Sequence, residues 1–173
     1  MKRELSLVLF IFLFVGMISF ADAAWYAKFD GVDGESTDDS HKDWINLLSV
    51  DWGMHQSEAG ATRRSSRIIM DDFVITKMAD KTTPILTEPI CKGEGFKKVE
   101  IELCKNNAGE QHCYLRYELK NVFITSYQIG GSAEGDSVPT EQLSLNFEEI
   151  KTTYIPLDEA GRPEEPVSAM CAA

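Results

Sequence analysis

Apolar and polar side chains alternate along several short stretches of the chain, which is the pattern of half-exposed β-strands. The clearest case is residues 96–105, where Val99, Ile101 and Leu103 alternate with charged side chains. Residues 113–126 repeat the alternation after a polar segment that contains Asn and Gly. The two stretches therefore predict a β-hairpin joined by a polar loop.

Other stretches rich in β-branched and aromatic residues predict further strands at residues 25–29, 44–52, 68–77 and 138–154. The long polar segment 53–67 predicts an exposed loop between two of these strands. Strands at this spacing, separated by polar turns, are typical of a sandwich or a barrel. The sequence therefore predicts a mainly β domain.

One segment predicts a helix instead of a strand. Residues 83–92 can form a short helix, because either threonine before Pro84 can cap its N-terminus and proline suits its first position. Gly93 marks its end. Since Pro89 removes an internal hydrogen bond, we expect this helix to be short or broken.

The N-terminal segment has the three parts of a signal peptide. Lys2 and Arg3 give a positive start, residues 5–20 are apolar apart from two serines, and the small residues Ala21 and Ala23 define a cleavage site. We expect cleavage after Ala23 and a secreted or periplasmic protein. An uncleaved membrane anchor is the alternative, but the apolar run is short for a membrane span.

After the signal peptide, residues 1–23, the sequence predicts one domain at residues 24–156 and a tail at residues 157–173. The tail contains Pro and Glu without apolar periodicity, so we expect it to be flexible. The net charge is −11. This charge argues against nucleic acid as a partner, because phosphates attract clustered Lys and Arg, and against an anionic membrane surface.

Four cysteines, Cys91, Cys104, Cys113 and Cys171, lie beyond the signal peptide. An even number of cysteines in an exported protein suggests disulfide bonds. Cys104 and Cys113 form the most local pair, but strict alternation places their side chains on opposite faces of the hairpin unless a β-bulge intervenes. A bond between subunits, from Cys171 to Cys91, is an alternative.

Motifs for catalysis or metal binding are weak in this sequence. Asp38, Asp39 and His41 are closely spaced, but such a turn is normally solvated, with its Asp side chains bonded to their own backbone. The Gly-rich segment 130–136 lacks the Lys of a phosphate-binding loop. The sequence also contains no Gly-x-Ser-x-Gly elbow and no Cys-x-x-Cys pair. We therefore expect no catalytic residue, no cofactor and no metal ion.

A series of short motifs occurs in a fixed order along the chain. The first group is Asp30-Gly31, Gly34-Glu35-Ser36, His41, Ser49 and Trp52. The second group is Asp72-Phe73, Lys77, Asp80-Lys81-Thr82-Thr83-Pro84, and the segments at residues 126–132, 139–141 and 143–147. Together these motifs, which cover residues 25–156, resemble the Hcp family, which builds the inner tube of type VI secretion systems.

The resemblance implies a β-barrel of two packed antiparallel sheets with one short α-helix against its wall. It also implies a non-enzymatic protein that forms six-membered rings, which stack into a tube and serve as a conduit or carry small effectors. The implied partners are other copies of the chain, components of the secretion apparatus and effector proteins. Members of the family are made in the cytoplasm without a signal peptide. Because this chain has a predicted signal peptide, we expect it to assemble outside the inner membrane.

The resemblance also assigns a role to a basic loop. Arg63, Arg64 and Arg67 cluster in the segment 53–67 of an otherwise acidic protein. A solvated charged loop is the simplest interpretation of such a cluster. In the resembled family the corresponding extended loop packs on the adjacent ring, so we expect Met54, His55 and the three arginines to form a ring-stacking loop.

Opposite charges at two ends of one subunit favour head-to-tail contacts between copies. The acidic partner of the basic loop is either the turn at residues 33–39 or residues 134–136.

Two alternative functions follow from the same sequence. One is a secreted monomeric binding module. The other is an exported enzyme or toxin, which would require His41, His55 or His112 to converge with carboxylates in a cleft.

Overall fold

The structure is a computed structural model that describes residues 23–56, 68–107, 110–132 and 138–172. The predicted signal peptide, apart from Ala23, lies outside the described residues, and so do Arg63, Arg64, Arg67 and residues 134–136. Within the described ranges, no helix is both long enough and apolar enough to cross a membrane.

The described residues form eleven β-strands and one α-helix. The strands before the helix are β1 (Ala23–Phe29), β2 (Ile45–Leu47), β3 (Ser49–Asp51), β4 (Met54–Gln56), β5 (Ile68–Met70) and β6 (Phe73–Met78). The helix is α1 (Thr82–Lys92). The strands after it are β7 (Phe96–Asn107), β8 (Glu110–Gly130), β9 (Thr140–Asn146), β10 (Glu149–Tyr154) and β11 (Val167–Ala172).

Two antiparallel sheets share the long strand β8. The first sheet has the order β2-β1-β7-β8-β10-β11, and the second has the order β8-β9-β6-β3. Strand β8 passes between them at Asn121, whose φ of 51° lies in the left-handed region that Asn tolerates better than most residues. The strand order begins with β2 and ends with β3. These two strands do not pair with each other, so hydrogen bonds among the described strands do not close the barrel, although only Leu48 separates β2 from β3 along the chain.

Apolar side chains from both sheets meet in one core. Fully buried members come from seven different strands and include Phe29, Phe73, Ile101, Leu119 and Leu143. Each such side chain contributes about 1.5–3 kcal/mol by leaving water. The predicted fold class, mainly β with two packed antiparallel sheets and one short helix, is therefore confirmed.

Helix α1 lies against the barrel with Leu86 in the core. It is short, as one form of the prediction required, but it is not broken, because it continues through Pro89. Because the helix ends at Lys92, Pro89 removes a hydrogen bond only in the last turn. Gly93 ends the helix as predicted, with a φ of 67°, and the N–H of Glu94 donates to the Pro89 carbonyl at 3.0 Å.

Four predicted element boundaries are wrong. Residues 54–56 form β4 rather than part of a loop, and the predicted strands 44–52, 68–77 and 138–154 each divide into two. The division of residues 68–77 falls at Asp72, whose carboxylate accepts hydrogen bonds from side chains of β8 and β9 instead of continuing a strand. Contacts with strands distant in sequence therefore interrupt a strand that the apolar pattern alone would extend.

The C-terminal segment has regular structure, in contrast to the predicted flexible tail. Strand β11 pairs with the free edge of β10 along its whole length, and the hydroxyls of Thr153 and Ser168 lie 2.9 Å apart. Before β11, the carboxylate of Asp158 accepts from the backbone N–H groups of Ala160 and Arg162 and organises a turn. Pairing at a sheet edge depends on backbone groups, so it leaves no apolar periodicity in the sequence.

Candidate functional site

The hairpin of β7 and β8 carries a disulfide between Cys104 and Cys113. Leu103 pairs with Leu115, but Cys104 pairs with Cys113, so Tyr114 is an extra residue on β8. This β-bulge turns Cys113 toward the face that Cys104 occupies. The β-bulge that a Cys104–Cys113 bond needs is therefore present.

The other two cysteines are free in the structure. Cys91 is exposed on α1, and Cys171 is half-buried on β11. A bond between subunits that involves these two residues stays a prediction.

Residues 30–44 fold back over the outer face of the first sheet and form what we term the cover loop. The N–H of Gly34 donates to the Asp43 carbonyl at 2.8 Å, and the N–H of Ser36 donates to the Trp44 carbonyl at 2.9 Å. A Cβ on Gly34 would lie 2.2 Å from the Trp44 carbonyl oxygen. Only glycine therefore fits at this position, and the Gly-Glu-Ser motif closes the loop upon itself.

His41 lies between the cover loop and the sheet and is 2% exposed. Its ring stacks on Tyr26 at a centroid distance of 4.2 Å and meets Trp44 edge-on at 4.8 Å. Nδ1 lies 3.0 Å from Asp38 Oδ1, and Nε2 lies 2.9 Å from Glu102 Oε2. The prediction of a solvated turn is therefore wrong for His41, whereas Asp38 does bond to its own backbone as expected.

Polar groups surround this histidine on the outer face of the sheet. Arg116 Nε lies 3.1 Å from Glu102 Oε1, and Gln111 donates to Asp38 Oδ2 at 3.0 Å. Both disulfide sulfurs lie 3.7 Å from His41 Nε2. A cavity of about 490 Å³, lined in part by His41, Glu102 and Arg116, opens the site to solvent.

Two opposing effects set the charge of His41. Burial alone would lower the pKa of the ring, because it disfavours the charged form. The hydrogen bonds to Glu102 and Asp38 outweigh burial, so the pKa of His41 is raised above its ordinary value. Because Asp38 and Glu102 each hold one ring nitrogen, His41 links the cover loop to β7. The convergence of a histidine with carboxylates that an enzyme would require is thus present, but both ring nitrogens are already bonded within the protein.

We expect the free energy of unfolding to decrease as the pH rises through the folded-state pKa of His41. A raised pKa adds stability that is complete below the unfolded pKa of about 6.5 and is lost above the folded value. Urea unfolding at intervals from about pH 6 to pH 9 measures this loss. In His41→Gln the dependence should flatten over the same window, and an equally steep curve in the variant would assign it to another group.

A second charged cluster is buried beside the N-terminus of α1. Lys77 Nζ lies 2.7 Å from Glu141 Oε2 and 2.9 Å from Asp80 Oδ1, and neither Lys77 nor Glu141 is accessible to solvent. Glu141 Oε1 accepts hydrogen bonds from the hydroxyls of Thr83 and Tyr127, at 2.7 and 2.9 Å. The cluster therefore joins β6, β8 and β9 to the helix.

Asp80 takes the capping role that the sequence assigned to a threonine. Its Oδ1 accepts from the N–H and the hydroxyl of Thr82, at 2.8 and 2.5 Å. Burial would raise the pKa of Asp80, but hydrogen bonds from Thr82 and Lys77 reverse this effect and hold the pKa below its ordinary value. Glu35 of the cover loop accepts from the N–H of Lys81 at 3.1 Å, so the loop also contacts the start of the helix.

Strands β4 and β5 present an apolar surface, which we term the β4–β5 stem. Among the described residues these strands pair only with each other. Met54 and Ile68 are 54% and 47% exposed, and Ile69 is also exposed, whereas Met70 packs against the core. A two-stranded hairpin is marginal in water without further packing. The stem is therefore suited to contact another protein surface.

The stem contains part of the predicted ring-stacking loop. Met54 and His55 lie on β4, and both are exposed. Arg63, Arg64 and Arg67 belong to the segment between β4 and β5 that lies outside the described residues. The stacking role of all five residues stays a prediction.

A further apolar surface lies on the edge strand β11. Val167 and Met170 are 68% and 67% exposed, and Tyr154 on the adjacent β10 is also exposed. Within the described part of the chain, β11 pairs only with β10. Its other edge therefore presents backbone groups that can pair with a strand of another chain.

The chain matches the profile of a known protein family. The profile of the family described as "Type VI secretion system effector, Hcp" matches residues 26–154, which include the cover loop, the helix and both charged clusters. The chain belongs to the Hcp family. Protein hcp1 of Pseudomonas aeruginosa is 32% identical over 136 residues, which cover 76% of this chain and 82% of that protein.

Solved structures of Hcp-like proteins have the same fold. A type six secretion system protein superposes with a TM-score of 0.79 at 28% identity, covering 87% of this chain and 96% of that one. A type VI secretion system effector from Yersinia pestis superposes with a TM-score of 0.68 at 26% identity, covering 86% of this chain and 99% of that one. The resemblance inferred from the motifs is therefore confirmed.

The structure gives the Hcp-like motifs a physical role. His41 and Lys77 are the central cations of the two clusters that hold the cover loop and the helix on the barrel. Sequence reasoning missed their partners, Glu102 and Glu141, which lie 61 and 64 residues further along the chain. No local spacing could have indicated these contacts, because they form only when the sheets assemble.

Proposed function

We propose that this Hcp-family chain is a non-enzymatic structural subunit that forms six-membered rings, which stack into a tube outside the inner membrane. The tube serves as a conduit or carries effector proteins. The observation that carries this proposal is the β4–β5 stem, which presents apolar side chains without a partner in the described part of the chain.

Covering the stem stabilises an assembly by the hydrophobic effect. Burial of the exposed parts of Met54, Ile68 and Ile69 removes apolar surface from water, at about 25 cal/mol for each Å². In this proposal the surface that receives the stem on a neighbouring copy is a different one. Such a head-to-tail contact continues from copy to copy, which favours stacks over closed dimers.

The edge strand β11 supports the ring contact in this proposal. Pairing of its free edge with a strand of the adjacent subunit would satisfy backbone groups and cover Val167 and Met170. Contacts of this kind combine main-chain hydrogen bonds with side-chain burial. The ring and the stack therefore use separate surfaces of the subunit, which allows each to be disrupted alone.

Export by the signal peptide completes the proposal. Cleavage after Ala23 would leave Ala24 as the first residue of β1, opposite Cys104 in the hairpin. The mature chain would then be secreted or periplasmic. Components of a secretion apparatus and effector proteins are its proposed partners besides further copies of itself.

Native mass measurement and negative-stain imaging of residues 24–173, with and without reductant, test the assembly. We expect a mass six times that of the monomer, together with rings and stacked rings. Loss of rings on reduction would show that a disulfide supports the assembly. If Cys91→Ser with Cys171→Ser keeps its rings without reductant, that disulfide is the Cys104–Cys113 bond within the subunit rather than a bond between subunits. A monomer under both conditions would contradict the proposal and favour a secreted binding module with the same fold.

A further inference from the structure

We infer that, once the Cys104–Cys113 disulfide is reduced, the protein binds a divalent transition-metal ion, Zn²⁺ above all, through His41, Glu102, Cys104 and Cys113. This inference does not depend on ring assembly. The disulfide and the metal ion are alternative occupants of one place on the outer face of the hairpin. The site is therefore controlled by the redox state of the two cysteines.

Four potential ligand atoms converge beneath the cover loop. His41 Nε2, one carboxylate oxygen of Glu102 and the two sulfurs all lie within 4.8 Å of one another. In a tetrahedral zinc site with ordinary bond lengths, neighbouring ligand atoms are roughly 3.3–3.8 Å apart. Nε2 lies 3.7 Å from each sulfur and 2.9 Å from Glu102 Oε2. The distances from Nε2 to the sulfurs already match this spacing, whereas the two bonded sulfurs must separate to it after reduction.

The ligands are already oriented by groups around them. Asp38 lies at Nδ1 of His41, which leaves Nε2 facing Glu102 and the sulfurs. A carboxylate on the far nitrogen of a histidine is the usual support of a zinc-bound imidazole. Arg116 holds Oε1 of Glu102 and leaves Oε2 directed toward Nε2. Gln111 in turn holds Asp38.

The ligand chemistry suits zinc better than calcium or magnesium. Two thiolates, one imidazole and one carboxylate are ligands that Zn²⁺ accepts with four-fold coordination, whereas Ca²⁺ and Mg²⁺ prefer oxygen alone. In the oxidised protein the sulfurs are bonded to each other and are not thiolates. Only His41 and Glu102 then remain, which is too few for tight binding.

Reduction requires an external dithiol and proceeds by thiol–disulfide exchange. Cys113 lines the solvent-filled cavity, whereas Cys104 is buried, so the attacking thiolate bonds to Cys113 Sγ. The bond between the two cysteines breaks, and its electron pair leaves on Cys104 Sγ. The second thiolate of the reductant then closes a disulfide within the reductant and releases Cys113 as a thiolate. The two electrons thus pass from the dithiol to the protein.

Metal binding then exchanges protons for Zn²⁺. The released thiolates of Cys104 and Cys113 take up protons from solvent. These protons, and any proton on His41 Nε2, return to solvent when the ion binds to two thiolates and the Nε2 lone pair. The metal ion then forms a direct link from His41 to β7 and β8.

The test uses residues 24–173 with Cys91→Ser and Cys171→Ser, so that Cys104 and Cys113 supply the only thiols. The protein is reduced with a dithiol, freed from it without oxygen, and titrated with Co²⁺ as a spectroscopic probe and then with Zn²⁺. We expect one Co²⁺ for each chain, with sulfur-to-cobalt charge-transfer absorption that Zn²⁺ abolishes. The oxidised protein should bind at least about 100-fold more weakly, because it lacks both thiolates.

Three variants separate this site from unspecific binding by thiols. His41→Gln and Glu102→Gln should each weaken Zn²⁺ binding by about 10-fold or more, and Asp38→Asn by about 10-fold through the orientation of the ring. Glu118→Gln, on the same face of β8 but outside the ligand set, should bind like the parent protein. Equal affinity in the His41 variant and the parent would overturn the inference, as would equal affinity in both redox states.

Thermal unfolding of the reduced protein tests Zn²⁺ binding even if reduction lowers the stability of the fold. A ligand that binds only the folded state raises the melting temperature, and the rise grows with the logarithm of the free ligand concentration relative to its Kd. We therefore expect Zn²⁺ to raise the Tm of the reduced protein and to leave the Tm of the oxidised protein unchanged. A reduced protein that is unfolded, and that Zn²⁺ does not restore, would overturn the inference.

Discussion

Lys77→Met is expected to lower the free energy of unfolding by about 3–5 kcal/mol, because it leaves two buried carboxylates without their cation. Glu141 is buried and Asp80 is nearly so, and both lie within 3 Å of the Lys77 ammonium group. Methionine fills a similar volume but carries no charge. Urea unfolding at neutral pH measures the loss.

The matched control is Lys120→Met. Lys120 also lies 2.7 Å from a carboxylate, that of Glu149, but the two side chains are 55% and 39% exposed. Exposed ion pairs contribute about 1 kcal/mol or less, so this variant should remain close to the parent. The double variant Lys77→Met with Glu141→Leu should recover part of the loss, since it removes one uncompensated charge. Equal losses in Lys77→Met and Lys120→Met would contradict the role given to burial.

Ile68→Asp is expected to abolish stacking of rings while leaving the subunit folded. The side chain is half-exposed on the β4–β5 stem, so the fold should lose no more than about 0.5 kcal/mol. In a stacked assembly the same carboxylate would be buried without a partner, which costs several kcal/mol. Negative-stain imaging and light scattering should therefore show single rings in place of stacks.

Ile90→Asp provides the matched comparison for the stem. Ile90 is also an exposed isoleucine, but it lies on α1. We expect this variant to assemble like the parent protein. Stacks that persist in Ile68→Asp, or that disappear equally in both variants, would remove the stem as the stacking surface.

The fold could be predicted because strand alternation is a local property of the sequence. Val99 and Ile101 point into the core while the residues between them face outward, and this pattern is visible without knowledge of any partner strand. Strand β11 was missed for the complementary reason. It is almost entirely exposed, and backbone pairing with β10 rather than apolar burial places it in the sheet.

The two charged clusters could not be predicted from local spacing. His41 was interpreted as part of a solvated turn because its neighbours in sequence are polar, yet Tyr26 and Trp44 enclose its ring in the folded chain. Lys77 was recognised only as part of a motif. Its burial depends on Glu141, which the sheet brings opposite from a distant strand.

The bulge at Tyr114 changes which alternate side chains of β8 point toward the core side of the sheet. Between the bulge and the barrel one set of alternate residues points that way, and between the bulge and the hairpin tip the other set does. Deletion of Tyr114 would restore a continuous ladder but exchange the faces of Cys113 and His112, and carry Gln111 away from the cover loop. Changes in length by a single residue are therefore excluded between the disulfide and the barrel. A change of length that keeps both the disulfide and the barrel in place must therefore lie at the tip of the hairpin, beyond the two cysteines.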